Sequence, residues 1–223
     1  GAIEPAIEKD MRSAARVRYA QLSGVTTTSL GVMVVVEQRL QDPEGRWSEV
    51  VRTVDVRLVR TDGPWQLEEI ASVGGTPVEE PADLDPAARA VLSSPAIELP
   101  DSARWDIYRG EVDPALLEAI ARTAERRDLS VTVLDSGHPP NVWATDRPSA
   151  HASGLAVDIW EIDGTPVVQQ QEEGTPAYET AAELVAGGAA QVGSPWILGP
   201  GGAVSFTDEV HADHIHLQQS PLG

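Results

Sequence analysis

The sequence predicts an α+β chain in two parts: a small amino-terminal module of one helix and an antiparallel β-meander over residues 1–78, and a larger α+β unit over residues 79–223. Three observations carry that reading. Long β-branched runs separated by turn chemistry fill most of the first third. A stretch rich in proline, glycine and acid follows it. The remainder alternates helical with strand-like segments and gathers all five histidines, His138, His151, His211, His214 and His216. With 223 residues, 41% of them hydrophobic, the chain is long enough to bury a real core.

Taken in order, residues Glu4 to Leu22 read as a helix, because Ile7, Met11, Ala14, Ala15, Arg18 and Leu22 fall near helical spacing and Gly24 ends the run. Val32 to Leu40, Val50 to Arg60 and Trp65 to Val73 read as strands. The breaks between them, Asp42-Pro43-Glu44-Gly45 and Thr61-Asp62-Gly63-Pro64, are turn sequences, so a meander is the natural product. A helix followed by three long strands resembles the tail of the cone-shaped NTF2-like domains of bacterial envelope proteins. Gly74 to Pro100 reads as a linker leading into a short helix around Pro86 to Leu92. Asp113-Pro114 then supplies an N-cap with proline at the first helical position, and Leu116, Leu117, Ile120 and Ala124 form an apolar stripe as far as Arg127. Ser130 to Leu134 and Ala156 to Trp160 predict short strands, Tyr178 to Gly187 a helix, and His214 to Gln218 a last strand.

Composition narrows the function. A formal charge of -19 argues against binding nucleic acid or an anionic membrane surface, both of which reward a positive patch. No apolar run approaches the ~20 residues of a membrane-spanning helix. The chain opens on Gly1-Ala2 without an initiator methionine, which leaves room for a secretory leader or membrane anchor upstream. Cysteine is absent, so a transition-metal site has to use imidazole and carboxylate ligands.

The spacing of those ligand types is informative. His151 precedes Asp158 by seven residues with Gly154 between them to turn the chain, so a loop and a strand can present both side chains to one point. In His214-Ile215-His216 the imidazoles sit at i and i+2 of an expected strand and share a face, while Ile215 points into the core. Two histidines and an aspartate with one position left open are the donor set of a catalytic zinc, and the same set suits Mn, Fe, Co or Ni.

The pattern Ser-x-His-x-x-Gly-x-Ala-x-Asp at Ser149 to Asp158, followed by Asp-His-x-His at Asp213 to His216, resembles the zinc D-alanyl-D-alanine carboxypeptidases, whose metal centre is shared with lysostaphin-type endopeptidases and the Hedgehog signalling domain. The resemblance covers roughly the last hundred or so residues. It implies a Hedgehog/DD-peptidase-like domain with Zn2+ held by His151, Asp158 and His216. Asp213 is then the general base toward a metal-activated water, and His214 the imidazole that stabilises the tetrahedral intermediate. It also implies a substrate, a peptidoglycan stem peptide or crosslink, and with it an extracellular or cell-envelope location.

One departure matters. The family's Ser-Gly-Tyr-Arg segment, whose arginine receives a substrate carboxylate, is here Ser136-Gly137-His138-Pro139-Pro140. Neither proline nor a neutral imidazole can replace the bidentate guanidinium. Arg147 is the expected substitute, with His138, Ser149 and Trp196 as further substrate-facing residues. Loss of the arginine shifts weight toward an endopeptidase, or toward a zinc-containing module that binds wall peptides or a protein partner without cleaving. His211 is expected to lie outside the ligand set.

Overall fold

The computed structural model describes residues 12–199 and 204–220. The chain is α+β, with one antiparallel four-stranded sheet and one mixed sheet. The first sheet is a meander of β1 (Arg12–Val25), β2 (Ser29–Gln41), β3 (Trp47–Val59) and β4 (Gln66–Ser72), paired in that order. Strand β1 replaces the expected helix. Residues 4–11 of that helix lie outside the described residues, but Arg12 to Leu22 pair with β2 in a register running from Arg12 opposite Gln41 to Val25 opposite Leu30. The helical spacing used Ala14, Ala15, Arg18 and Leu22, all of them good helix formers, and tertiary pairing overrides that preference. The alternation Arg16-Val17-Arg18-Tyr19 and the β-branched partner run Val32 to Val36 decide for the strand.

The second part runs α1 (Pro86–Ser93), β5 (Ile97–Glu98), α2 (Asp101–Tyr108), α3 (Pro114–Ala124), β6 (Leu129–Val133), β7 (Ala156–Ile162), β8 (Thr165–Pro166), α4 (Pro176–Ala186), β9 (Gln191–Gly193), β10 (Ser205–Phe206) and β11 (Ile215–Gln218). The sheet order is β10-β9-β11-β7-β6-β5, with β8 on β7. The β9/β10 and β5/β6 pairs are parallel. Asp113 caps α3 by accepting from the N–H groups of Ala115 and Leu116, and the helix stops at Ala124, short of Arg127. Helix α2 and strand β5 fall where a linker was expected or where no element was assigned. Pro100 starts α2 without a side-chain cap, and its buried face includes Ser102 and Asp106, so neither a cap nor an apolar stripe announces it. Among the described residues no helix is long and apolar enough to cross a membrane.

Period-2 alternation sorts the mixed sheet into two faces. Val157 and Ile159 of β7 and Ile215 and Leu217 of β11 join Leu116, Leu117 and Ile120 of α3 in one buried core. Asp158, Trp160 and His216 project from the other face, and there the meander docks. Thr53 Oγ1 of β3 donates to the carbonyl of Thr132 in β6 at 2.5 Å. The Val51 and Thr53 amides donate to Asp101 and Ser102 of α2. The molecule is therefore layered as helices, mixed sheet and meander, with the polar face of the mixed sheet covered by the meander.

Candidate metal centre

The centre is built by the pairing of β7 with β11. Their antiparallel register sets His216 directly opposite Asp158, and directly opposed residues on one face of a sheet bring their side chains together. His151 comes from a separate turn, His151–Ser153, closed by Gly154 at φ 67°, whose N–H donates to the His151 carbonyl at 2.9 Å. Only glycine suits this position. A Cβ on Gly154 would stand 1.9 Å from the Glu111 carbonyl oxygen.

Three ligand atoms meet with nearly equal edges. His151 Nε2 lies 3.2 Å from Asp158 Oδ1 and 3.2 Å from His216 Nδ1, and His216 Nδ1 lies 3.0 Å from Asp158 Oδ1. Tetrahedral ligands at ~2.0 to 2.1 Å from a metal stand ~3.3 Å apart, so the triangle is close to what a small divalent cation requires. The His151 tautomer is set by its other nitrogen. Nδ1 lies 2.5 Å from the Leu134 carbonyl, which can only accept, so Nδ1 carries the proton and Nε2 offers a lone pair to the centre. All three residues are buried. An imidazole nitrogen and a carboxylate oxygen held this close out of water suit a shared cation.

Electrostatics agree with the geometry. Burial alone would raise Asp158, but its interactions with the His151 and His214 imidazoles outweigh it and hold the carboxyl well below the usual carboxylate range. Burial pushes His216 down to about 4 against the opposing hydrogen bond from Asp158, so its ring is neutral and able to ligate at neutral pH. His214 moves the other way. Burial works against its charged form, but Asp158 and the hydrogen bond to Asp213 outweigh it and raise its pKa.

His214 sits just before β11 and faces the triangle with Nε2, 3.7 Å from Asp158 Oδ1. Its Nδ1 donates to Asp213 Oδ1 at 2.7 Å. Asp213 spends its second oxygen on the Leu22 amide at 3.2 Å, so the carboxylate is turned toward His214 and the meander. His138 stacks on His151 with ring centroids 3.9 Å apart, and His138, His151 and Asp158 also offer ligand atoms within 4.8 Å of one another. His138 Nδ1 lies 2.6 Å from the Pro139 carbonyl. The tighter triangle with His216 is the better donor set, and His138 flanks it.

These residues open on a cleft of about 480 Å³ between the meander, the loop carrying Trp143 and the Phe206–His211 segment. Ser149 lines it and accepts the His151 amide on Oγ. Arg147 lines it as an exposed side chain without an ion-pair partner among the described residues. His211 forms part of the wall, bound to Asp208 at 2.7 Å and outside the triangle. Trp196 is not brought to the cleft. Its ring packs edge-on against Tyr178 at 5.3 Å, and its Nε1 donates to the Gln171 carbonyl. The approach through Gly193-Ser194-Pro195 turns it toward Tyr178 of α4 instead of the opening.

Sequence reading missed three contributors. Trp143 lies against the backbone of Gly24 and Gly31, so closely that a Cβ at Gly24 would stand 2.0 Å from the ring. Asp106 of α2 accepts the amides of Asp135 and Ser136 at 3.0 and 2.8 Å and fixes the turn that carries His138. Gln21 of β1 reaches Asp158 itself. Each acts across a long sequence separation, and none carries a local motif.

Comparison with protein-family models, with curated proteins and with solved structures finds no match to this chain.

Proposed function

We propose that the chain is a zinc-dependent peptidase of the D-alanyl-D-alanine carboxypeptidase and Hedgehog type, acting on peptidoglycan stem peptides or crosslinks in the cell envelope. The observation that carries the reading is the triangle of His151, Asp158 and His216, with the His151 tautomer locked so that Nε2 faces the other two. When bound, the metal supplies Lewis-acid activation of water and of the scissile carbonyl. His214, held by Asp213 and favoured in its charged form, presents Nε2 to the developing oxyanion. Asp213, which accepts from His214 Nδ1 and from the Leu22 amide, keeps that imidazole oriented toward the site. Arg147 at the cleft wall receives a substrate carboxylate.

The test is incubation of the zinc-loaded protein with purified stem peptides and crosslinked muropeptides, read by mass spectrometry. Release of D-alanine or cleavage of a crosslink is expected. A second reading, a zinc-containing module that binds wall peptides without cleaving, is favoured by the replacement of the family arginine at the Ser136-Gly137-His138 turn. Saturable peptide binding without turnover would select it, and neither binding nor turnover would sink both.

Acidification supplies an independent check. Ligating nitrogens must be unprotonated, and His216 is neutral down to about 4. Bound metal is therefore expected to survive dialysis through mildly acidic pH and to be lost only as the pH approaches that value. Elemental analysis of dialysed samples decides the matter, and release already near the ordinary imidazole pKa of ~6.5 would contradict the buried site.

A further inference from the structure

We propose that Gln21 is a positioning residue for the metal centre, and that through it the amino-terminal meander is a working part of that centre. The inference rests on the metal-site reading above and extends it to a segment that carries none of the ligands.

Gln21 is fully buried. Its Nε2 donates to Asp158 Oδ2 at 2.7 Å, and its Oε1 accepts from Thr132 Oγ1 of β6 at 2.5 Å. A carboxylate only accepts, so the amide orientation is fixed at both ends. Asp158 thus has its two oxygens assigned to different tasks: Oδ2 is held by Gln21, and Oδ1 faces His151 and His216. The side chain cannot rotate without breaking a buried hydrogen bond to a charged group. That keeps a single oxygen aimed at the cation site and disfavours both protonation and two-oxygen ligation.

The same strand reaches the second acidic residue. The Leu22 amide donates to Asp213 Oδ2 at 3.2 Å, and the Tyr19 hydroxyl donates to the Asp213 carbonyl at 2.8 Å. The Tyr19 ring stacks on Trp160, two residues after Asp158 in β7, with centroids 4.4 Å apart. If β1 only covered the sheet, an apolar side chain at position 21 would do so without the cost of burying an amide. The amide is there, and its donor ends on the ligand.

The experiment measures zinc affinity by competition with a chromophoric chelator at fixed pH, for the parent, Gln21→Met, Thr132→Val and Thr53→Val. Met keeps the volume of Gln and removes the donor. Val at 132 leaves Gln21 in place and removes the hydroxyl that holds its carbonyl oxygen. Thr53 makes a buried hydrogen bond from the meander to the same strand, β6, without touching Asp158, so Thr53→Val reports on docking alone. Gln21→Met is expected to weaken zinc binding about 10- to 100-fold, the range for partners of metal ligands, with Thr132→Val weakening it less and Thr53→Val leaving it unchanged. Parent-like affinity in Gln21→Met, or an equal loss in Thr53→Val, overturns the proposal while leaving the metal site standing. If Gln21→Met fails to fold, Thr132→Val decides: weaker zinc binding supports the proposal and parent-like binding overturns it. A parent that binds no zinc overturns the metal-site reading itself.

Discussion

His151→Ala and His216→Ala are each expected to abolish stoichiometric metal binding while leaving the fold in place. Removing a ligand takes away a third of the donor set, so the loss should exceed the roughly 10- to 100-fold typical of an outer partner. The fold should survive because His151 lies in a turn and His216 faces away from the core, whose β7 and β11 contributions are Val157, Ile159, Ile215 and Leu217. Elemental analysis and circular dichroism on the same samples separate the two effects. Zinc retained at one equivalent in either variant would show that the triangle is not the binding site. Zinc lost together with the tertiary signal would show instead that these side chains are needed for folding.

Gly154→Ala should be the most damaging glycine-to-alanine change among the described residues. The residue has φ 67°, and its added Cβ would sit 1.9 Å from the Glu111 carbonyl oxygen, a backbone atom that cannot swing aside. The Gly154 carbonyl also accepts the Asp113 amide at 2.9 Å, so the strain passes to the N-cap of α3. Left-handed backbone costs a non-glycine residue about 1 to 2 kcal/mol, and with the clash added a loss of about 3 kcal/mol or more is expected in denaturant unfolding. Gly164→Ala is the control, since that glycine has φ 71° with nothing near the added Cβ, and should lose only about 1 kcal/mol. Equal losses in the two variants would show that the Glu111 contact is harmless. Because His151 opens the turn that Gly154 closes, metal affinity should fall in Gly154→Ala and not in Gly164→Ala.

Much of the fold was legible where a pattern is local. The meander strands after Gly24, the short helix around Pro86 to Leu92, α3 behind Asp113-Pro114 and the strand around Asp158 all follow from local pattern. Strand β1 was misread because its alanines favour helix locally, while the pairing with β2 that overrides them is not expressed in β1's own sequence. Helix α2 escaped because its buried face is partly polar: Ser102 and Asp106 are spent on docking the meander and on holding the turn before His138. At the site, the spacing of His151, Asp158 and the His214-Ile215-His216 triplet brings to one place what the structure does bring to one place. The tautomer of His151, the capture of Asp213 by the Leu22 amide and the grip of Gln21 on Asp158 depend on tertiary contacts. Trp196 illustrates the reverse error, a residue near the site in sequence whose loop turns it toward Tyr178.

The register that opposes His216 to Asp158 also sets an order of assembly. During synthesis His151 and Asp158 emerge well before their partner, since His216 follows His151 by 65 residues, and β11 finds its place between β7 and β9 only after that interval. Until then the nascent chain holds two donors and no third. A chain that ends anywhere in that interval lacks His216, so the candidate donor set is completed late, together with the strand that fills the middle of the sheet.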